Sequence, residues 1–145
     1  MHPRELRDII HRMKKGLVPP ALLTLGFSLC IIAQTEADYS GWMKDIAQTK
    51  GKVAKGVASK SADVATDAEH LAGLFGKVAA FWQGRNAADA VTIAKSAESA
   101  SNDLAAAAKA GDEAKQQADL QTINGACGMC HMAHRAGEKG NFSFK

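Results

Sequence analysis

The sequence predicts an all-α fold, an antiparallel four-helix bundle preceded by an N-terminal signal segment. Three observations predict it. No proline occurs after residue 20, and the chain beyond residue 37 is rich in Ala and Lys and poor in strand formers, a composition that favours long helices. Apolar side chains recur there at spacings of three and four, the period of one helix face. Turn-forming residues divide the stretch at Ser61–Asp63, at Gln83–Asn86 and at Ala110–Asp112, which leaves four helical segments joined by short connections. Short connections make consecutive helices antiparallel neighbours.

The first forty residues have a different character. Arg4, Arg7, Arg12, Lys14 and Lys15 precede an uncharged run from Leu17 to Ala33, and small and polar residues follow at Gln34-Thr35-Glu36-Ala37. A basic region, an apolar region and small residues at a cleavage point form a secretory signal. Cleavage after Thr35 or after Ala37 fits that pattern, and residues 1–37 are assigned to the signal. The alternative is an uncleaved, membrane-anchored form facing the periplasm, although Pro19-Pro20 interrupts the apolar run. A lipid attachment at Cys30 fits poorly, because Leu29 precedes it where a lipobox carries a small residue. Residues 1–37 hold five Lys/Arg and three Asp/Glu of the 18 and 15 in the whole chain, so residues 38–145 hold 13 and 12, a net charge of +1. A near-neutral chain gives no case for nucleic-acid binding.

Helix A is expected from about Asp38 to Ser59, with Met43, Ile46, Ala47, Val53, Ala54 and Val57 inward. Helix B starts near Asp63, capped by Ser61 or Asp63. It carries the clearest stripe, Val64, Ala68, Leu71, Phe75, Val78 and Trp82, and closes at Gln83-Gly84. Helix C runs from a cap at Asn86 to Lys109, with Ala90, Ile93, Ala94, Ala97, Leu104 and Ala108 inward; so many alanines imply close approach of neighbouring backbones or of a flat ligand. After the stop and cap Ala110-Gly111-Asp112, helix D runs from about Glu113 to Ala136, with Leu120, Ile123, Cys127, Cys130 and His134 on one stripe. The bundle domain is thus residues 38–137, and residues 138–145 form a tail. Its core is thin in large side chains, with Leu71, Leu74, Phe75, Phe81, Trp82, Leu104, Leu120 and Ile123 carrying most of it.

The chemistry-bearing motif is Cys127-Gly128-Met129-Cys130-His131. Cys-x-x-Cys followed directly by His is the thioether attachment pattern for haem c. On a helix, residues three apart share a face, so both thiols reach the two vinyl groups of one porphyrin while His131 gives a nitrogen to iron. One covalent haem c on the last helix is the expected cofactor. Three alternatives use the same residues: a structural disulfide, a zinc site built from Cys127, Cys130, His134 and His70, and a thiol redox pair, which calls for a βαβ pattern the sequence lacks.

These residues carry a family resemblance. The end of the chain, Cys127-Gly-Met-Cys130-His131-Met-Ala-His134-Arg135, resembles the Cys-x-x-Cys-His-x-x-Tyr-Arg of class II cytochromes c, the cytochrome c′ and cytochrome c-556 family. Asp67-Ala-Glu-His70-Leu-Ala resembles that family's second helix, and Leu104–Asp112 the turn between its third and fourth. The resemblance spans residues 38–136 and implies a haem-bearing four-helix bundle that often pairs into homodimers through its first two helices. Two positions depart from it. Tyr39 stands where members often carry Arg in the first helix, and the long crossover between the second and third helices is reduced to Gln83–Asn86.

Function then turns on the face of iron opposite His131. Met43 occupies the position that supplies a methionine ligand in six-coordinate members of the family. His131/Met43 ligation suits electron transfer with redox partner proteins and raises the potential relative to His/His ligation. If Met43 is core packing, the iron is five-coordinate and binds NO or CO as in cytochrome c′. Arg135, four residues after His131, is a candidate partner for a haem propionate. Tyr39, one turn before Met43, either lines the distal pocket or caps helix A. His70 is expected at the surface of helix B and Trp82 in the core. No second cofactor motif, carboxylate pair or nucleophile–base constellation points to an enzyme.

Overall fold

The computed structural model describes residues 34–138 and 141–145. The apolar run Leu17–Ala33, Cys30 and most of the expected signal lie outside the described residues. Four helices follow one another: α1 (Glu36–Ser59), α2 (Val64–Gln83), α3 (Ala88–Ala110) and α4 (Glu113–His134). Two short strands, β1 (Arg135–Glu138) and β2 (Asn141–Phe144), close the chain as an antiparallel hairpin. Among the described residues no helix is long and apolar enough to cross a membrane.

The helix ends follow local chemistry. Thr35 caps α1 in a reciprocal capping box: its side chain accepts from the Asp38 backbone N–H while the Asp38 carboxylate accepts from the Thr35 N–H. The helix therefore begins two residues before the expected Asp38, and Tyr39 is a buried residue of its first turn, not its cap. Asn86 does not cap α3 either. It takes a left-handed conformation at φ 57° in the turn, and Ala87 becomes the cap residue. Gly111 ends α3 at φ 72°, a conformation glycine adopts without steric cost, and the Asp112 side chain accepts from the Lys115 N–H to start α4. Helix α4 stops at His134, because Arg135 is extended. The expected tail boundary at residue 138 thus falls at the end of β1.

The faces pack largely as the spacing predicts. All six residues of the α2 stripe are buried, joined by Leu74, Phe81, Ala72 and Ala79. On α1, Ile46, Val53 and Val57 are buried and Met43 partly so, whereas Ala47 and Ala54 face solvent and Tyr39, Thr49 and Gly56 take inward positions. On α3, Ala90, Ala94, Ala97, Ala100, Leu104, Ala105 and Ala107 line the buried side, with Ile93 and Ala108 at its margin. This alanine face lies against α2 in the most extensive helix pairing of the chain. The α3–α4 and α1–α2 pairings come next, and α1 touches α4 only sparsely.

Side-chain contacts between polar and charged groups mark the level of each pairing. Glu36 meets Arg85 at 3.3 Å and Asp45 meets His70 at 2.9 Å between α1 and the α2 side, Glu69 meets Lys109 between α2 and α3, and Asp89 meets His134 at 2.8 Å between α3 and α4. Such exposed pairs add little stability, but they show that each helix runs against its neighbour. Between α1 and α4 the marker is Lys60–Glu113 at 2.6 Å.

Candidate cofactor site

The site is assembled at the end of the bundle where α1 begins and α4 ends. Helix α4 stays regular through Cys127, Cys130 and His131, so the three side chains stand on adjoining positions of one helix face. Both cysteines are free thiols and partly buried, with Cys127 packed against the core. Burial raises both thiol pKa values, so both sulfurs are held as neutral S–H groups at neutral pH. His131 is partly buried; burial first, then the positive charges of Arg135 and Lys50, lower its pKa and keep the imidazole neutral, with a lone pair to give.

The level of α1 opposite the motif follows from its register. Counting back from Lys60–Glu113 along antiparallel helices of equal rise places Ile46 level with Cys127, Met43 with Cys130 and Tyr39 with His134. Trp82 confirms the last pairing independently. Its ring lies 5.8 Å from that of Tyr39 and 4.8 Å from that of His134. Met43 is partly buried against the core on the same stripe as Tyr39, Ile46 and Lys50. The register therefore brings Met43 and the motif to one height across the sparsely packed α1–α4 seam.

An aromatic group closes this end. Tyr39 lies 4.4 Å from Phe81 and 5.1 Å from Phe144, and Trp82 Nε1 donates to the Tyr39 hydroxyl at 3.3 Å. Phe144 reaches the group because the C-terminal hairpin folds back, pairing Arg135 with Phe144. The Lys145 backbone N–H bonds the His134 carbonyl and its ammonium donates to the Met132 carbonyl. Arg135 has left the helix, and its guanidinium lies 4.2 Å over the exposed Phe142 ring. His134 is held by Trp82 and by Asp89.

The structure separates the zinc alternative into parts. His70 is on α2, bound to Asp45, and His134 is bound to Asp89. Among the described residues no three His, Cys, Asp or Glu side chains converge as a metal site. A covalent haem fits the donor set better: two neutral thiols, a neutral imidazole beside them, and a thioether sulfur at the same height on the facing helix. Sequence reasoning placed Phe81 in the core and Phe144 in a tail that either covers the site's edge or hangs free, and it missed Lys50. Phe144 carried the signal of a Phe-x-Phe alternation after two glycines, and Lys50 the signal of lying seven residues beyond Met43 on its face. Comparison with protein-family models, curated proteins and solved structures finds no match.

Proposed function

We propose that this chain is an exported, periplasmic mono-haem c-type cytochrome of the class II kind, working in electron transfer. The observation that carries the reading is Cys127-x-x-Cys130-His131 on one face of the last of four helices, level with Met43 across a thinly packed seam. Bound haem iron supplies a one-electron couple. The Cys127 and Cys130 thiols would each add across a vinyl group, sulfur to one carbon and hydrogen to the other, with no net electron change. His131 would give its imidazole nitrogen to iron, and Met43 would give its sulfur. Tyr39, Phe81, Trp82 and Phe144 keep water from that end of the seam. Ligation by both His131 and Met43 would favour outer-sphere electron transfer with partner proteins over ligand capture.

A second reading is a five-coordinate NO- or CO-binding protein. It is favoured by the packing of Met43 against the apolar core, which satisfies that side chain without a metal. Two measurements on periplasmically expressed protein separate the readings. A pyridine haemochrome assay is expected to report one haem c per chain, and its failure overturns both. A low-spin ferric spectrum that turns high-spin in Met43→Ala supports the electron carrier. A high-spin spectrum unchanged by Met43→Ala, with CO binding that displaces no native ligand, establishes the second reading.

A further inference from the structure

Lys50 differs from the other lysines. Of those whose burial is described, Lys44, Lys52, Lys55, Lys60, Lys77, Lys95, Lys109, Lys115 and Lys145 are exposed and Lys50 alone is partly buried. Lys60, Lys109 and Lys115 all meet carboxylates, whereas Lys50 forms no ion pair among the described residues. A partly buried lysine lays its stem along the protein and keeps its ammonium at the edge, where it is free to pair with an anion of a ligand in the seam.

Its surroundings say where that anion sits. Lys50 is one turn beyond Ile46 on the stripe that begins at Tyr39, and the α1–α4 register puts it level with Ile123, one turn from Cys127. The carboxylate on the next inward turns of α4, Asp119, is buried, with Oδ1 held by Lys115 and Oδ2 without a hydrogen-bond partner, and it forms no ion pair with Lys50. Arg135 lies beyond the far end of α4 on Phe142. Lys50 is therefore the cation of the seam itself.

We infer that Lys50 is an anion-binding residue of the cofactor site, pairing with a carboxylate of the ligand held at Cys127–His131; on the electron-carrier reading, on which this inference rests, that carboxylate is a haem propionate. The pairing keeps the carboxylate ionised and its charge compensated near iron. The test uses the full chain, exported and haem-loaded, as parent, Lys50→Gln, Lys50→Arg and Lys52→Gln. Haem content by haemochrome and helicity by circular dichroism are measured on the same samples as the midpoint potential across acidic to neutral pH. Lys50→Gln is expected to keep its haem and its fold while its potential falls, because an uncompensated carboxylate favours ferric iron. Its potential should also gain a pH dependence as that carboxyl titrates at higher pH. Lys50→Arg and the exposed Lys52→Gln should match the parent. A Lys50→Gln profile identical to Lys52→Gln overturns the inference, as does a uniform fall with no new pH dependence, which marks a nearby charge and not a pair. A parent without haem overturns the electron-carrier reading and this inference together, and the haemochrome assay tells that result from the others.

Discussion

The indole N–H of Trp82 donates to the hydroxyl of Tyr39 at 3.3 Å, joining the last turn of α2 to the first turn of α1. Burial, with smaller contributions from Cys130 and Cys127 and against the effect of the Trp82 bond, pushes the Tyr39 pKa up to about 12. The unfolded chain loses this proton near the ordinary tyrosine value of about 10. Above that pH the unfolded state binds fewer protons than the folded one, so stability falls as pH rises from about 10 toward 12 and is fully retained below. The fall attributable to Tyr39 is on the order of 1–2 kcal/mol after allowance for solvent screening. Denaturant titrations across this range should show it in the parent and not in Tyr39→Phe. Tyr39 is the chain's only tyrosine, so tyrosinate absorbance reports the same group directly.

Phe144 is the residue by which the hairpin grips the bundle, touching Tyr39, Phe81 and Trp82. Phe144→Ala should cost about 1–3 kcal/mol, below a fully enclosed phenylalanine because this one is partly exposed. Amide exchange should accelerate in residues 135–144 well before it does in α2. Equal exchange rates in variant and parent would mean that the hairpin is held by its backbone bonds alone.

Leu104 is wholly enclosed, while Ile93, eleven residues earlier on α3, lies at the margin of the core. Leu104→Ala should lose about 2–5 kcal/mol, and Ile93→Ala about half as much or less. Urea midpoints on haem-free and haem-loaded protein test this, and a ligand that binds only the folded state should raise every midpoint.

Thr35 supplies the cap of α1, and cleavage at either expected point, after Thr35 or after Ala37, removes it. A chain beginning at Asp38 should be less stable than one beginning at Gln34, and Thr35→Ala in the longer chain should cost about 1 kcal/mol. Hydrogen bonds from Thr35 hold the Asp38 pKa below its ordinary value. That contribution is present above the unfolded carboxylate range and is lost as pH falls through the folded value, so the two chains should converge in acid. Paired thermal unfolding curves at neutral and acidic pH would check both statements.

The fold was legible where the pattern was redundant. Val64, Ala68, Leu71, Phe75, Val78 and Trp82 repeat one spacing over five turns, and each is buried. Gly111-Asp112 marked a boundary twice, by a left-handed glycine and a capping aspartate. Asn86 misled because a residue that caps helices also tolerates positive φ, and the turn used the second property. Thr49, Ser101, Gln116 and Asp119 are polar yet buried, so a search for apolar faces passed over them. The hairpin escaped because four-residue strands carry too little periodicity to outweigh a polar, glycine-containing context. At the site, the motif was legible because its residues lie close together within one helix. The positions of Lys50 and Trp82 against it depend on how α1 and α2 are levelled with α4, which no local pattern encodes.

The aromatic closure at the end of the bundle also gives the chain an optical gauge. Trp82 and Tyr39 lie inside that closure and Trp42 packs against the same core next to Met43, so both tryptophans and the sole tyrosine sit on the half of the molecule that carries Cys127. With haem at Cys127 their emission would drain into the porphyrin by energy transfer, leaving a nearly dark folded protein. Brightening would then follow the unfolding of the bundle away from the haem in real time, with no label attached.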